Sequence, residues 1–218
     1  MSDMADRDIR QRDLIPPDML SRAKVTVVGV GAIGRQVAIQ LAAIGVPTMN
    51  IVDFDDVQVE NLSAQGFMEQ DLNLPKVKAV GDMCHNINSG IDIATENRKF
   101  RPIRFAGGVL MCCVDKIDTR KSIFNSIKDR VDLYVDGRMS AEYMRILTVF
   151  DEKSGDHYAE TLFPSAEAHQ GSCTAKSTIY CSNIAAGMMV SQFVKWLRNC
   201  QIDQDIDLNL LTNELGIN

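Results

Sequence analysis

The first chemical signal is a run of six residues, Gly29-Val30-Gly31-Ala32-Ile33-Gly34, placed directly after the apolar stretch Val25–Val28. Gly29, Gly31 and Gly34 carry no side chain, so backbone amides in such a turn can approach a phosphate closely. A helix opening at Ala32 and Ile33 would add partial positive charge. Asp53 lies 19 residues after Gly34, where an acidic side chain can accept hydrogen bonds from ribose hydroxyls. Together these features predict an adenine nucleotide site. Asp53 permits NAD as well as ATP, but no domain-sized segment remains for a hydride-transfer region. Chemistry on the phosphates is therefore the expectation.

The loop has to be held by a βαβ unit. The pattern predicts a strand at Val25–Val28, a helix at about Ile33–Ile44 and a second strand at Met49–Val52. Helical character resumes over 74–88 after Pro75, and a strand is expected over Ile91–Thr95. The run GGVLMCCVD reads as a strand buried on both faces of a parallel sheet, closed by Asp115. DTRKSIFNSIKDR suits a helix capped by Asp118, and DLYVD a strand ending at Asp136. Beyond it, MRILTVFDEKSGDHYAETLF reads as two strands joined by a turn at Ser154-Gly155. A long helix from about Thr178 to Asn199 and a closing edge strand in DIDLNLL complete the chain. The fold class expected is α/β, a Rossmann-like doubly wound, mostly parallel sheet with an antiparallel extension. One domain spans 1–218, with an N-terminal arm at 1–23, a nucleotide-binding core at 24–150, and the loop, long helix and closing strand at 151–218.

Composition narrows the function class. The 218 residues are 45% hydrophobic, which supports an ordinary packed core. A net charge of −6, from 29 acidic and 23 basic residues, disfavours a broad nucleic-acid footprint. The charged start, MSDMADRDIRQRD, reads as neither a secretory signal nor a membrane anchor. A cytoplasmic protein without membrane association is expected, and its six cysteines are expected to be free thiols. No C-x-x-C pair or histidine spacing suggests zinc. His157 and His169 are expected at the surface, and Cys181 in the core.

Five segments in order, RDIRQ, GVGAIG, DFDDVQVENLSAQ, LPKVKA and CCVDKIDTRKS, resemble the ATP-dependent activating enzymes of ubiquitin-like and sulfur-carrier proteins. The similarity to these ThiF/MoeB/HesA-type adenylyltransferases extends over about residues 7–199. It implies that a partner's C-terminal carboxylate is joined to the α-phosphorus of ATP, giving an acyl-adenylate and pyrophosphate. By the resemblance, Asp53 would hold the ribose, Asn61 and Lys76 would contact phosphate, and Gln65 would belong to the nucleotide site. Asp115 would ligate Mg²⁺, with Asp55 in the same shell. Arg10 would reach into a neighbouring subunit, which implies a homodimer.

Two departures bear on activity. Such enzymes usually read Asn-Leu-x-Arg-Gln where this chain reads Asn61-Leu62-Ser63-Ala64-Gln65, so a phosphate-binding arginine is missing. Removing one transition-state donor costs around 3 kcal/mol, roughly a hundredfold in rate. Arg138, Arg145 and Arg12 are the candidate replacements. Cys173, with Lys176 nearby, matches the region of a nucleophilic cysteine approximately. The two C-x-x-C pairs of many relatives are absent, so no zinc is expected. The partner expected is a ubiquitin-like or sulfur-carrier protein. The alternatives are a small-molecule, peptide or tRNA carboxylate, a nucleotide-binding scaffold that has lost catalysis, and an NAD-dependent oxidoreductase.

Overall fold

A computed structural model describes residues 7–164 and 177–218. Eight strands form one sheet: β1 (Lys24–Val28), β2 (Thr48–Asp53), β3 (Asp92–Asn97), β4 (Val109–Cys112), β5 (Leu133–Ser140), β6 (Tyr143–Val149), β7 (Asp205–Asn209) and β8 (Glu214–Ile217). Their spatial order is β3-β2-β1-β4-β5-β6-β7-β8. Pairings from β3 across to β5 are parallel, and those from β5 to β8 are antiparallel. Successive strands build outward from β1 on one side and from β4 on the other. The crevice beyond the carboxyl ends of β1 and β4 is thus the switch point at which open α/β sheets take ligands.

Among the described residues, seven α-helices accompany the sheet: α1 (Pro17–Leu20), α2 (Ala32–Ile44), α3 (Val59–Gln65), α4 (Lys76–Ile87), α5 (Ile117–Ile127), α6 (Glu152–Glu160) and α7 (Ile179–Leu197). Alternation along the central strands divides the core in two. Val109 and Met111 of β4, with Leu133 and Val135 of β5, pack with α2, α4 and α7. Leu110, Cys112 and Tyr134 pack with Ile123, Phe124 and Ile127 of α5 and Tyr158 of α6. No helix among the described residues is long and apolar enough to cross a membrane. Cys84, Cys112, Cys113, Cys181 and Cys200 are free thiols, and Cys181 is buried.

Four expectations need correction. The segment after β6 is not a returning strand but α6. Asp151 caps it by accepting from the Ser154 N–H at 2.8 Å, while Ser154 Oγ accepts from the Asp151 N–H at 3.0 Å. That reciprocal cap overrides the turn character of Ser154-Gly155. Asp118 lies in the first turn of α5 rather than at its cap, which is Lys116. β5 continues past Asp136 to a two-residue connection in which Ala141 takes a φ of 53°. DIDLNLL is not the edge, since β8 pairs outside β7.

Candidate active site

The glycine loop leaves β1 at the switch point. Gly29 has a φ of 83°, and a Cβ there would stand 2.9 Å from the Cys113 carbonyl oxygen at the end of β4. A side chain on Gly34 would overlap the Gly29 carbonyl, so this glycine lets α2 sit against the turn. Asp53 ties the loop together. Its Oδ2 accepts from the Val30 N–H at 2.7 Å, and its Oδ1 accepts from the Asp55 N–H at 2.9 Å. Each carboxylate oxygen keeps a further lone pair, so the side chain can orient the loop and still accept from a ribose hydroxyl. The first N–H groups of α2, at Ala32 and Ile33, have no intrahelical acceptor and face the cradle's mouth.

Between β2 and α4 the chain makes an excursion that covers this cradle. α3, which the sequence pattern did not disclose, positions two of the expected residues. Asn61 is buried, and its Oδ1 accepts from the Gln58 N–H at 2.9 Å, which leaves its amide N–H groups for a ligand. Gln65 ends the helix and faces the loop. A Cβ on Gly31 would stand 3.6 Å from Gln65 Oε1, a buried atom without a hydrogen-bond partner. Gly66, with a φ of 76°, then turns the chain away. Lys76 opens α4; it is buried, and its Nζ lies 3.4 Å from Asp55 Oδ2. Asp55 is half exposed, so the ammonium is held at the site by a pair that an incoming phosphate can replace.

Asp115 follows β4 and is exposed, with no hydrogen bond or ion pair to a described residue. The segment beneath it is fixed. Arg120, in α5, donates to the Val114 carbonyl and pairs with Asp136. Asp136 is fully buried and also accepts from Arg138 Nε and the Tyr158 hydroxyl, both at 2.9 Å. This network escaped sequence reasoning because its members come from β5, α5 and α6. Burial pushes the Cys113 thiol up, so the thiol beside Gly29 stays protonated near neutral pH. Among the described residues, no group of three or more His, Cys, Asp or Glu could hold a metal ion. Asp115 is a single carboxylate, and a cation held there would need further oxygen ligands, a coordination Mg²⁺ accepts.

Comparison with known proteins gives this arrangement its lineage. Residues 7–215 match the ThiF family. The chain belongs to that family. It is 37% identical over 99 residues to the adenylyltransferase and sulfurtransferase MOCS3-2 of Zea mays, covering 42% of this chain and 20% of the maize protein. It is 29% identical over 121 residues to the molybdopterin-synthase adenylyltransferase of Haemophilus influenzae, covering 53% and 50% respectively. The aligned segments thus span half or less of these relatives. Among solved structures, PaaA superposes with a TM-score of 0.77 at 17% identity, covering all of this chain and 83% of that one. MccB of E. coli with ATP gives a TM-score of 0.70 at 16% identity, covering 92% and 64%. At such identities the likeness establishes the fold, a Rossmann-like sheet with an antiparallel extension.

Other expected residues of this ThiF-family chain lie elsewhere. Arg10 is exposed, between Arg7, which donates to the Ala42 and Ile87 carbonyls at 3.0 Å, and Gln11, which donates to Ile44 at 3.1 Å. Those carbonyls end α2 and α4, at the amino ends of β2 and β3, the end of the sheet opposite the glycine loop. Arg12 is exposed on the same arm. Arg138 is engaged by Asp136 and by Thr161, and Arg145 makes bonds of 2.8 and 2.6 Å to Asp205. Neither guanidinium is free to replace the arginine missing at Ala64. His157 is partly exposed, and its Nε2 lies 2.9 Å from Asp205 Oδ2, which ties α6 to β7. Cys173 and His169 lie outside the described residues.

Proposed function

We propose that the chain is an ATP- and Mg²⁺-dependent adenylyltransferase that activates a C-terminal carboxylate of a ubiquitin-like or sulfur-carrier protein. The observation that carries this reading is the convergence at one switch point. A glycine cradle locked by Asp53, a buried Lys76 and the carboxylate of Asp115, which has no partner among the described residues, lie at the carboxyl ends of β1, β2 and β4. An NAD-dependent oxidoreductase does not require a buried ammonium and an exposed carboxylate around the phosphates. The curated relatives named above are adenylyltransferases, which favours the same chemistry.

In the reaction, a carboxylate oxygen of the partner attacks the α-phosphorus. A new P–O bond forms, the bond to the bridging oxygen breaks, and pyrophosphate leaves with its electron pair. The chain's task is electrostatic, since negative charge grows on oxygens that must meet fixed positive groups. Asp53 would orient the ribose, while Lys76, the Asn61 amide and the N–H groups at the start of α2 would face the phosphates. Mg²⁺, when bound at Asp115, supplies further neutralisation of phosphate charge. Arg10 would act in a second copy's site, since its neighbours hold it at the far end of α2.

Calorimetric binding of Mg²⁺-ATP and of NAD⁺ to wild type and Asp115→Asn tests the reading. Selective, Asp115-dependent ATP binding supports it, and a preference for NAD⁺ overturns it. Ala64 favours one second reading, a scaffold that binds ATP without reacting. ATP binding with no pyrophosphate exchange in the presence of candidate carriers would establish that alternative.

A further inference from the structure

Ala64 leaves the site one positive charge short of the pattern it resembles, and Arg138 and Arg145 are already neutralised by Asp136 and Asp205. Arg35 is in a different state. It occupies the first turn of α2, four residues after Gly31, and is 7% exposed. Its side chain makes no hydrogen bond or ion pair to any described residue; the guanidinium lies 5.3 Å from the centre of the Phe67 ring. Burial pushes its pKa below the ordinary arginine value, and the charge of Asp71 offsets this only in part. Cys84, also nearby, is pushed up to about 12 by burial and contributes no compensating thiolate near neutral pH. A guanidinium largely removed from water, only partly offset by charge and with no acceptor for its N–H groups, is unfavourable, and such sites are relieved by an anion that arrives with the ligand.

Its position relates that charge to the cradle. Side chains of a helix lean toward its N-terminus, so Arg35 extends from α2 toward the glycine-loop end. Its terminal nitrogen lies 3.2 Å from where a Cβ on Gly66 would stand, two residues beyond Ala64. Gln65, between them, faces Gly31 with a buried oxygen that lacks a partner. A guanidinium without a hydrogen bond or ion pair to any described residue and the unsatisfied Gln65 Oε1 therefore flank the end of α3, on the side where Gln65 meets Gly31 of the cradle. We propose that Arg35 supplies the phosphate-directed positive charge that Ala64 cannot. This rests on the adenylation reading, and the group it recognises is the polyphosphate of ATP.

The test measures Mg²⁺-ATP and adenosine binding to wild type, Arg35→Met and Arg35→Met/Ala64→Arg, with thermal unfolding of each unliganded protein. Losing a charge-assisted contact should weaken Mg²⁺-ATP binding on the order of 10- to 100-fold in Arg35→Met. Adenosine binding should stay within about twofold of wild type, because that ligand lacks the group recognised. The unliganded Arg35→Met protein should melt no lower than wild type, since a buried and only partly compensated charge is replaced by an apolar chain of similar reach. Ala64→Arg in that background should restore most of the lost affinity. A variant that fails to fold, melts lower or loses adenosine and Mg²⁺-ATP equally makes Arg35 a packing residue and overturns the proposal. Unchanged Mg²⁺-ATP affinity, or no recovery with Ala64→Arg, also overturns it while the adenylation reading stands. Wild type that binds NAD⁺ in preference, or no nucleotide, removes both.

Discussion

Asp53→Asn is a near-isosteric change whose cost can be worked from the loop geometry. The carboxylate accepts two backbone N–H bonds, at 2.7 Å from Val30 and 2.9 Å from Asp55, and is only 9% exposed. An asparagine keeps one acceptor, now uncharged, and turns its own N–H₂ toward the other backbone donor. Charge-assisted bonds contribute about 1.5–3 kcal/mol and a buried donor left unsatisfied costs about 1–3, so a net loss of about 2–4 kcal/mol follows. For a chain of this size that lowers the melting midpoint by roughly 5–15 °C. The assay is thermal or denaturant unfolding without nucleotide, which separates the loop's own stability from ligand binding. A variant that melts within about 1 °C of wild type would refute the claim that Asp53 organises the glycine loop before any ribose arrives. Were that so, Asp53 would be a ligand contact and nothing more.

Other perturbations test neighbouring parts. Gly29→Ala combines a positive φ with a 2.9 Å approach to the Cys113 carbonyl, so unfolding measurements should show a loss of about 2 kcal/mol or more. Gly187→Ala, inside α7 where the added Cβ meets nothing closer than 3.8 Å, should instead stabilise by about 0.5–1 kcal/mol. Asp205 supplies a pH dependence. Burial alone would raise its carboxyl, but hydrogen bonds from Arg145 and His157 pull it below the ordinary aspartate value. A depressed folded pKa gives stability that is present above the unfolded value of about 3.9 and disappears as pH falls through the folded one. Wild type should therefore lose stability as pH falls below about 3.9 more steeply than Asp205→Asn, read from unfolding midpoints on the acid side of that value.

The parts legible in the sequence were those fixed by local pattern. The unit β1–loop–α2–β2 follows from a buried apolar run, three glycines and helical periodicity, and Asp53, Lys76 and Asp115 stand at element ends that such patterns mark. α3 was hidden because a seven-residue helix held by the side chains of Gln58 and Asn61 has too little periodicity to show. α6 was misread because Ser154-Gly155 has turn chemistry, and only the reciprocal contact between Asp151 and Ser154 decides for a helix. The network of Arg120, Asp136, Arg138 and Tyr158 was invisible for another reason. Its members are brought together by the crossing of β5, α5 and α6, so no spacing announces them. The same holds for Arg35, whose side chain is buried without a hydrogen bond or ion pair to any described residue, a property only the packed structure reveals.

The arm raises the last question, whether one chain makes a complete site. Arg7 and Gln11 fasten the arm to carbonyls at the far end of α2, and that 13-residue helix spans about 20 Å from the glycine loop. Arg10, fixed between them, is thereby kept from its own cradle. If it contacts phosphate at all, it does so in a second copy. Arg10→Ala and Asp115→Asn should then each weaken Mg²⁺-ATP binding alone, yet complement when mixed. In a two-fold dimer formed at random, half of the dimers are mixed, and each has one site with both residues intact. High-affinity Mg²⁺-ATP sites should therefore recover to about a quarter of the wild-type number. No recovery, although subunit exchange is demonstrated with differently tagged chains, would mean that Arg10 belongs to the arm's surface and that each chain builds its site alone.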